Sequence, residues 1–412
     1  MKLKNFSRQF NFFGRPARCA HPEVVGDVRQ FRLGVLDDLS SRPKAATCRR
    51  TPKWPAAGKP PTSSGCTAAR WGLGLLLAFG WLAVARAGQP RLEVIEFGSQ
   101  VLQGNPLHDP TDRRVAVFLP SQYAATNPLP IVYYLPGWGG SSEGFIYGQK
   151  TWIALTQKFA DEVTPVLFVV VNARDRWGGS QYLNSPAQGN YADYVCQEIV
   201  REVESHYPAP TNGVRRIIAG HSSGGFGALR LGMARHELFD GVIALSPDSD
   251  FPTSHLPLVK LPGVTNATLA DVERIEALQA PPPTDGDLGY AVGLSAAYAP
   301  KGAAAPGEFE WLYDAQGRFR AEIWQRWLDN DPLTVAQTDP DAFSPNQRIY
   351  LDGAAQDEYA ANIGARKIYE TIRSRPAPST FYEPPGHHSQ HLAARIERGL
   401  AWVFGKKMAD IK

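Results

Sequence analysis

The sequence predicts an α/β protein with a mostly parallel central sheet flanked by helices, and three observations lead there. Over residues 88–412, short runs rich in β-branched and aromatic residues alternate with longer helix-patterned stretches. Several of the short runs are apolar throughout, as strands covered on both faces must be. No internal repeat or low-complexity linker interrupts the pattern, so one compact domain is the simplest account.

Taken in order, strands are expected over 114–119, 131–135, 166–172, 216–219, 241–245, 348–351 and 380–382, each bounded by Gly, Pro or polar residues. Helices are expected over 192–207, 224–234, 359–374 and 390–404, where apolar residues recur at helical spacing. Between the fifth and sixth strands lies an interval, 249–346, far longer than the two to six residues usual for such a connection. This insert carries the Pro-rich stretch from Ala280 to Thr284 and an aromatic group of Phe309, Trp311, Tyr313, Trp324 and Trp327. Those aromatics either pack the insert onto the sheet or belong to a lid (cap) that walls a site.

Charge divides the chain unevenly. Of 43 Lys+Arg and 40 Asp+Glu, residues 1–87 hold 15 basic and 4 acidic groups, which leaves 28 basic and 36 acidic for the remainder. An acidic body without a basic stripe argues against nucleic acid as a partner. Residues 71–85, WGLGLLLAFGWLAVA, follow Arg70 and end in Ala85-Arg86-Ala87, small residues where a signal peptidase reads. The expectation for 71–87 is a cleaved secretory signal and a periplasmic or secreted protein. The alternative is a retained membrane anchor, although 15 residues are short for a span. Residues 1–70 show no sustained apolar periodicity and read as a disordered extension, or as upstream of the true start. They hold Cys19, Cys48 and Cys66, so the body keeps only Cys196 and has no intramolecular disulfide.

The chemistry is concentrated in three places. After the strand at 216–219 comes Gly220-His221-Ser222-Ser223-Gly224, a Gly-x-Ser-x-Gly pattern in strand-turn-helix context. This is a nucleophile elbow: a sharp turn presents Ser222 at the top of the sheet, and small residues two before and two after it avoid collision. A neutral hydroxyl needs a base, and the base needs an acid to hold its tautomer. Asp357, in the loop after the strand at 348–351, is the expected acid. Asp352 is assigned to ordering that loop, and Asp248 and Asp250 are held in reserve. After the last strand stand His387, His388 and His391, which spacing alone cannot separate. A His387/His391 metal pair is possible in principle, but it lacks the Glu of the zinc-protease pattern, so neither metal nor cofactor is expected. Oxyanion donors are expected from the NH of Ser223 and from Pro136-Gly137-Trp138-Gly139-Gly140, with Trp138 first and Gly139 next. Gly139, His221 and Trp324 are the expected substrate contacts, although a packing or hydrogen-bonding role is the default for His221.

With these pieces placed, residues 91–404 resemble the putative esterase family of the α/β-hydrolase fold, which includes S-formylglutathione hydrolases, feruloyl esterases, enterochelin esterases and mycolyltransferases. The resemblance rests on Leu119-Pro120 with Tyr123, Tyr133-Tyr134-Leu135-Pro136-Gly137-Trp138-Gly139-Gly140, and Asn184-Ser185-Pro186 with Gly189-Asn190-Tyr191. It continues through Ala219-Gly220-His221-Ser222-Ser223-Gly224-Gly225, Leu238-Phe239-Asp240 and Ala244-Leu245-Ser246-Pro247. It implies the base in Gly386-His387-His388-Ser389, which selects His388, and an acid loop that fits Asp357-Glu358-Tyr359. Pro136-Gly137 stands where many members have His-Gly. The implied function is a serine carboxylesterase acting on a small or polymeric ester. Acyl transfer to a sugar or alcohol is the alternative, and a non-catalytic binding protein on the same fold the further one.

Overall fold

In a computed structural model, residues 88–278 and 286–406 are described. The expected signal segment at 71–87, the extension at 1–70 with its three cysteines, and the whole Pro-rich stretch of the insert lie outside them. Among the described residues no helix is long and apolar enough to cross a membrane.

The strands are β1 (Arg91–Gly98), β2 (Asp112–Leu119), β3 (Ile131–Leu135), β4 (Leu167–Val170), β5 (Asn184–Ser185), β6 (Gly189–Asn190), β7 (Arg216–His221), β8 (Gly241–Leu245), β9 (Arg348–Asp352) and β10 (Ser379–Tyr382). Eight of them form one sheet in the order β1-β2-β4-β3-β7-β8-β9-β10, while β5 and β6 make a separate small hairpin. From β4 to β10 every neighbouring pair is parallel; β2 runs antiparallel to both β4 and β1. All five residues of β3 and of β8 are buried, which matches their unbroken apolar sequence. Alternation still decides which core each side chain joins: Ile131, Tyr133 and Leu135 enter one, Val132 and Tyr134 the other.

Helices cover both faces. The crossover from β3 to β4 carries α1 (Ser142–Tyr147) and α2 (Gln149–Glu162), and Phe159 of α2 shares a core with Ile396, Leu400 and Val403 of the last helix. The opposite face holds α3 (Tyr191–Asp193), a π-helical turn (Tyr194–Ile199) and α4 (Val200–His206), followed by α5 (Ser223–Ala234) directly after β7. Cys196 sits in the π turn, buried and unpaired.

Between β8 and β9 the insert folds into short helices α6 (Phe251–Ser254), α7 (Leu256–Val259), α8 (Pro262–Thr265) and α9 (Leu269–Ala277), then α10 (Gly286–Tyr298), α11 (Ala321–Leu328) and α12 (Pro332–Thr338). It has its own apolar core, in which Phe309, Trp311, Tyr313, Trp324 and Trp327 are all buried. Helix α13 (Ala361–Ile372) follows β9, and α14 (Leu392–Val403) closes the chain.

Two features differ from the sequence reading. Strand β1 was not expected, because Arg91, Glu93 and Glu96 interrupt its apolar residues; as an edge strand it pairs eight residues with β2 and leaves those charges toward solvent. Helix α2 was not expected either, although Trp152, Ile153, Leu155 and Phe159 pack its inner face against the core; the sequence reading passed over this stretch.

Candidate active site

The parallel strands β3, β7, β8 and β9 all end on one side of the sheet, and the site is built from the loops that leave them. Ser222 stands between β7 and α5 with φ 60° and ψ −125°, a conformation that a residue with a Cβ rarely adopts. Surrounding backbone bonds hold it there: the Ser222 NH donates to Leu245 O (3.0 Å), while its carbonyl accepts from Phe226 (2.9 Å) and Asp248 (3.3 Å). The glycines of the motif are required sterically. A Cβ on Gly224 would run into the Leu135 carbonyl, and one on Gly220 into the carbonyl of Gly224.

Asp357 and His388 meet across the loops after β9 and β10. The ring Nδ1 of His388 donates to Asp357 Oδ2 at 2.8 Å, and the Asp357 carboxylate is fully buried. Burial by itself would raise that carboxyl, but the hydrogen bond and charge of His388, with hydrogen bonds from Ser246 and the Tyr359 NH, hold it below its ordinary value. With Nδ1 protonated, Nε2 carries the lone pair. This nitrogen is buried and has no hydrogen-bond partner among the described residues. No hydrogen bond joins Ser222 to His388.

The base loop is tied down through its backbone. The His388 NH donates to Glu358 Oε2 (2.9 Å), and its carbonyl accepts from His221 Nε2 (3.0 Å) and Arg395 Nη1 (2.8 Å). Arg395 is itself locked by Asp352 in a buried pair, with bonds of 2.7 and 3.0 Å, and donates to Ser246 Oγ at 2.7 Å. Asp352 thus acts on the histidine loop through Arg395, and on the end of β8 through the Ser246 NH (3.2 Å), rather than on its own loop after β9 as the sequence reading had it. The other carboxylates are engaged elsewhere: Asp248 accepts from Ser223 Oγ (2.8 Å) and Asp250 from Lys367 Nζ (2.6 Å). His387 is exposed, with Nδ1 3.5 Å from Glu358, and His391 is exposed at φ 55° where α14 begins.

Loop 136–140 reaches the nucleophile, since a Cβ on Gly137 would lie 3.2 Å from that of Ser222. Its Gly139 NH donates to Gly178 O at 2.7 Å and Gly140 to Gly137 O at 2.9 Å. No hydrogen bond engages the Trp138 or Ser223 NH among the described residues.

Of the three expected substrate contacts, Gly139 and Trp324 are engaged elsewhere, and His221 takes the hydrogen-bonding role that was its default. Gly139 has its NH committed to Gly178 and cannot offer it. His221 is buried, and its Nε2 serves the His388 carbonyl, with burial holding the ring well below its usual pKa. Trp324 lies inside the insert, its ring 5.7 Å from Trp327 and 6.1 Å from Phe319. Two further aromatic rings stand beside the candidate catalytic residues. Tyr290 of α10 is hydrogen-bonded to the Ser223 side chain and meets the Trp138 indole edge-on at 4.7 Å. Tyr359 meets the His388 ring edge-on at 4.7 Å. Nothing in the pattern around Tyr290 marks it, because only the tertiary fold of the insert brings α10 over the elbow.

The sheet order, the elbow after β7 and the histidine loop after β10 define an α/β-hydrolase. Solved structures agree on the fold: a ferulic acid esterase aligns with TM-score 0.51 at 17% identity, covering 77% of this chain and 98% of that one. An S-formylglutathione hydrolase from Agrobacterium tumefaciens aligns with TM-score 0.50 at 15% identity, covering 78% and 96%. The family model for putative esterases matches residues 109–392, and the chain belongs to that family. As a member of it the protein is an enzyme, an esterase acting on carboxylic ester bonds.

One carboxyl away from the elbow gives a pH prediction. Burial, and then the neighbouring Asp109 carboxylate, push Asp175 from 3.8 up to about 7. The folded state therefore holds this proton more tightly than the unfolded chain, so the stability it contributes is full below the unfolded value and is lost as pH rises through 7. Urea midpoints of the wild type are expected to fall more across about pH 4 to 7 than those of Asp175→Asn; equal pH dependence would contradict this.

Proposed function

We propose that the protein hydrolyses carboxylic esters through an acyl-enzyme, with Ser222 as nucleophile, His388 as base and Asp357 as the acid that orients it. The observation that carries the reading is the pairing of a strained, held Ser222 with an imidazole whose Nδ1 is bound to Asp357 and whose buried Nε2 is unengaged. Ser222 Oγ attacks the ester carbonyl carbon while its proton passes to His388 Nε2; Asp357 stabilises the imidazolium. The carbonyl π electrons move to oxygen, and the NH groups of Ser223 and Trp138 receive that charge. The tetrahedral species collapses, the C–O bond to the alcohol breaks, and His388 protonates the leaving oxygen. Water, deprotonated by His388, then attacks the acyl-enzyme, and the second collapse returns the proton to Ser222 and releases the acid. The indole of Trp138 with Tyr290 and Tyr359 supplies an aromatic wall for the bound ester.

The test is stopped-flow and steady-state kinetics with p-nitrophenyl acetate. The wild type is expected to turn over, Ser222→Ala to lose about 10⁶-fold in kcat, and Asp357→Asn about 10⁴-fold through loss of the correct tautomer. Near-normal turnover in either variant would remove the assignment.

The apolar run at 71–85 and the small residues Ala85 and Ala87 support action outside the cytoplasm. N-terminal sequencing of protein from the exported fraction of expressing cells should read from Gly88. A full-length N-terminus confined to the cytoplasm contradicts that placement.

A further inference from the structure

The segment after β4, residues 171–182, contributes no group to the chemistry above, yet it holds the loop that does. Its turn is closed by Asp175. Oδ1 of Asp175 accepts the NH groups of Trp177 (3.0 Å) and Gly179 (2.9 Å), and Oδ2 accepts Nε2 of Gln188 (3.0 Å). The second amide proton of Gln188 goes to the Gly293 carbonyl of α10 at 3.1 Å, so the same side chain ties the turn to the insert.

The charged neighbours of Asp175 are accounted for. Asp109 faces it and accepts from Tyr191 Oη (3.0 Å), to which Arg113 Nη2 donates (3.1 Å); Arg113 Nη1 donates to the Arg174 carbonyl (2.9 Å), and Arg176 lies near Asp109. With its proton lost above about pH 7, the Asp175 carboxylate is acceptor-only and meets three donors. An amide of the same shape would turn its own NH₂ toward one of them.

What this turn supports is Trp138. The Gly178 carbonyl accepts the Gly139 NH at 2.7 Å. The indole lies in a slot between the turn and α10: a Cβ on Gly179 would sit 2.8 Å from Cε3, and one on Gly293 2.5 Å from Cη2. From the other end of the loop, Tyr182 Oη donates to Pro136 O at 2.5 Å. Backbone and ring of Trp138 are thus both registered on residues 178–182, and the register of 176–179 is set by Asp175.

We propose that Asp175 is a positioning residue for ester hydrolysis: by fixing the 176–179 turn it fixes Trp138, and so aims the Trp138 NH at the developing oxyanion. The proposal rests on the assignment of Ser222 and of the Trp138 NH made above. An oxyanion donor acts on the transition state more than on the bound ester, so displacing it lowers kcat and leaves KM.

The experiment compares the full-chain wild type with Asp175→Asn, Gln188→Met and Ser222→Ala, using p-nitrophenyl acetate at pH 8, each variant being checked by circular dichroism for a folded state at the assay temperature. Asp175→Asn is expected to lower kcat and kcat/KM together by roughly 10- to 100-fold, the size of effect expected for a misplaced catalytic group, with KM within about twofold. Gln188→Met, which keeps the carboxylate and releases Oδ2, should show the same split with a smaller loss and carries the test if Asp175→Asn does not fold. A folded Asp175→Asn enzyme with wild-type kcat, or with a loss confined to KM, overturns the proposal while Ser222→Ala remains dead and the active-site assignment stands. Turnover that survives in Ser222→Ala removes that assignment and the proposal with it.

Discussion

The backbone of Ser222 is the constraint around which the molecule is arranged. A serine at φ 60° is held only because the strands beside it are already fixed, and two of them take part directly: β8 accepts its NH through Leu245, while the end of β3 lies so close to Gly224 that no side chain fits there. That contact places the loop leaving β3 next to the nucleophile. The strain, of order 1–3 kcal/mol for such a conformation, is borne by a sheet in which the flanking strands β3 and β8 are entirely buried. A loosely packed sheet would relax the turn and withdraw the hydroxyl.

On the base side the organising element is electrostatic. Arg395 and Asp352 form a buried pair whose remaining hydrogen-bonding capacity goes to the His388 carbonyl and to Ser246, which in turn serves Asp357. Removing one partner of such a pair leaves an uncompensated buried charge, at about 3–5 kcal/mol. The pair therefore links the β8, β9 and β10 loops, and His221, the neighbour of Ser222, adds a tie from β7. The imidazole is fixed at three points of its backbone and one of its ring before any ester arrives.

Much of this was legible in the sequence because it is local. The apolar runs of β3, β7 and β8 announce strands covered on two faces, and the Gly220-x-Ser222-x-Gly224 spacing has a steric cause that a single turn contains. Other features depend on distance. Among His387, His388 and His391 spacing offers no choice, and only the fold brings one ring against Asp357. Trp324, noted from the sequence as an insert aromatic, fills the insert core, whereas Tyr290, which no sequence pattern marked, packs against that core from α10 and also reaches Trp138 and Ser223. Strand β1 was missed for a similar reason: an edge strand needs only one buried face, and its charges mask the alternation.

The central claim is that Ser222 alone is an activated nucleophile, and the most direct measurement is mass spectrometric mapping of the protein after treatment with a fluorophosphonate. The account predicts a single covalent adduct on Ser222, formed rapidly with the folded protein and absent after unfolding. No adduct on the folded protein, or one on another residue, would contradict it.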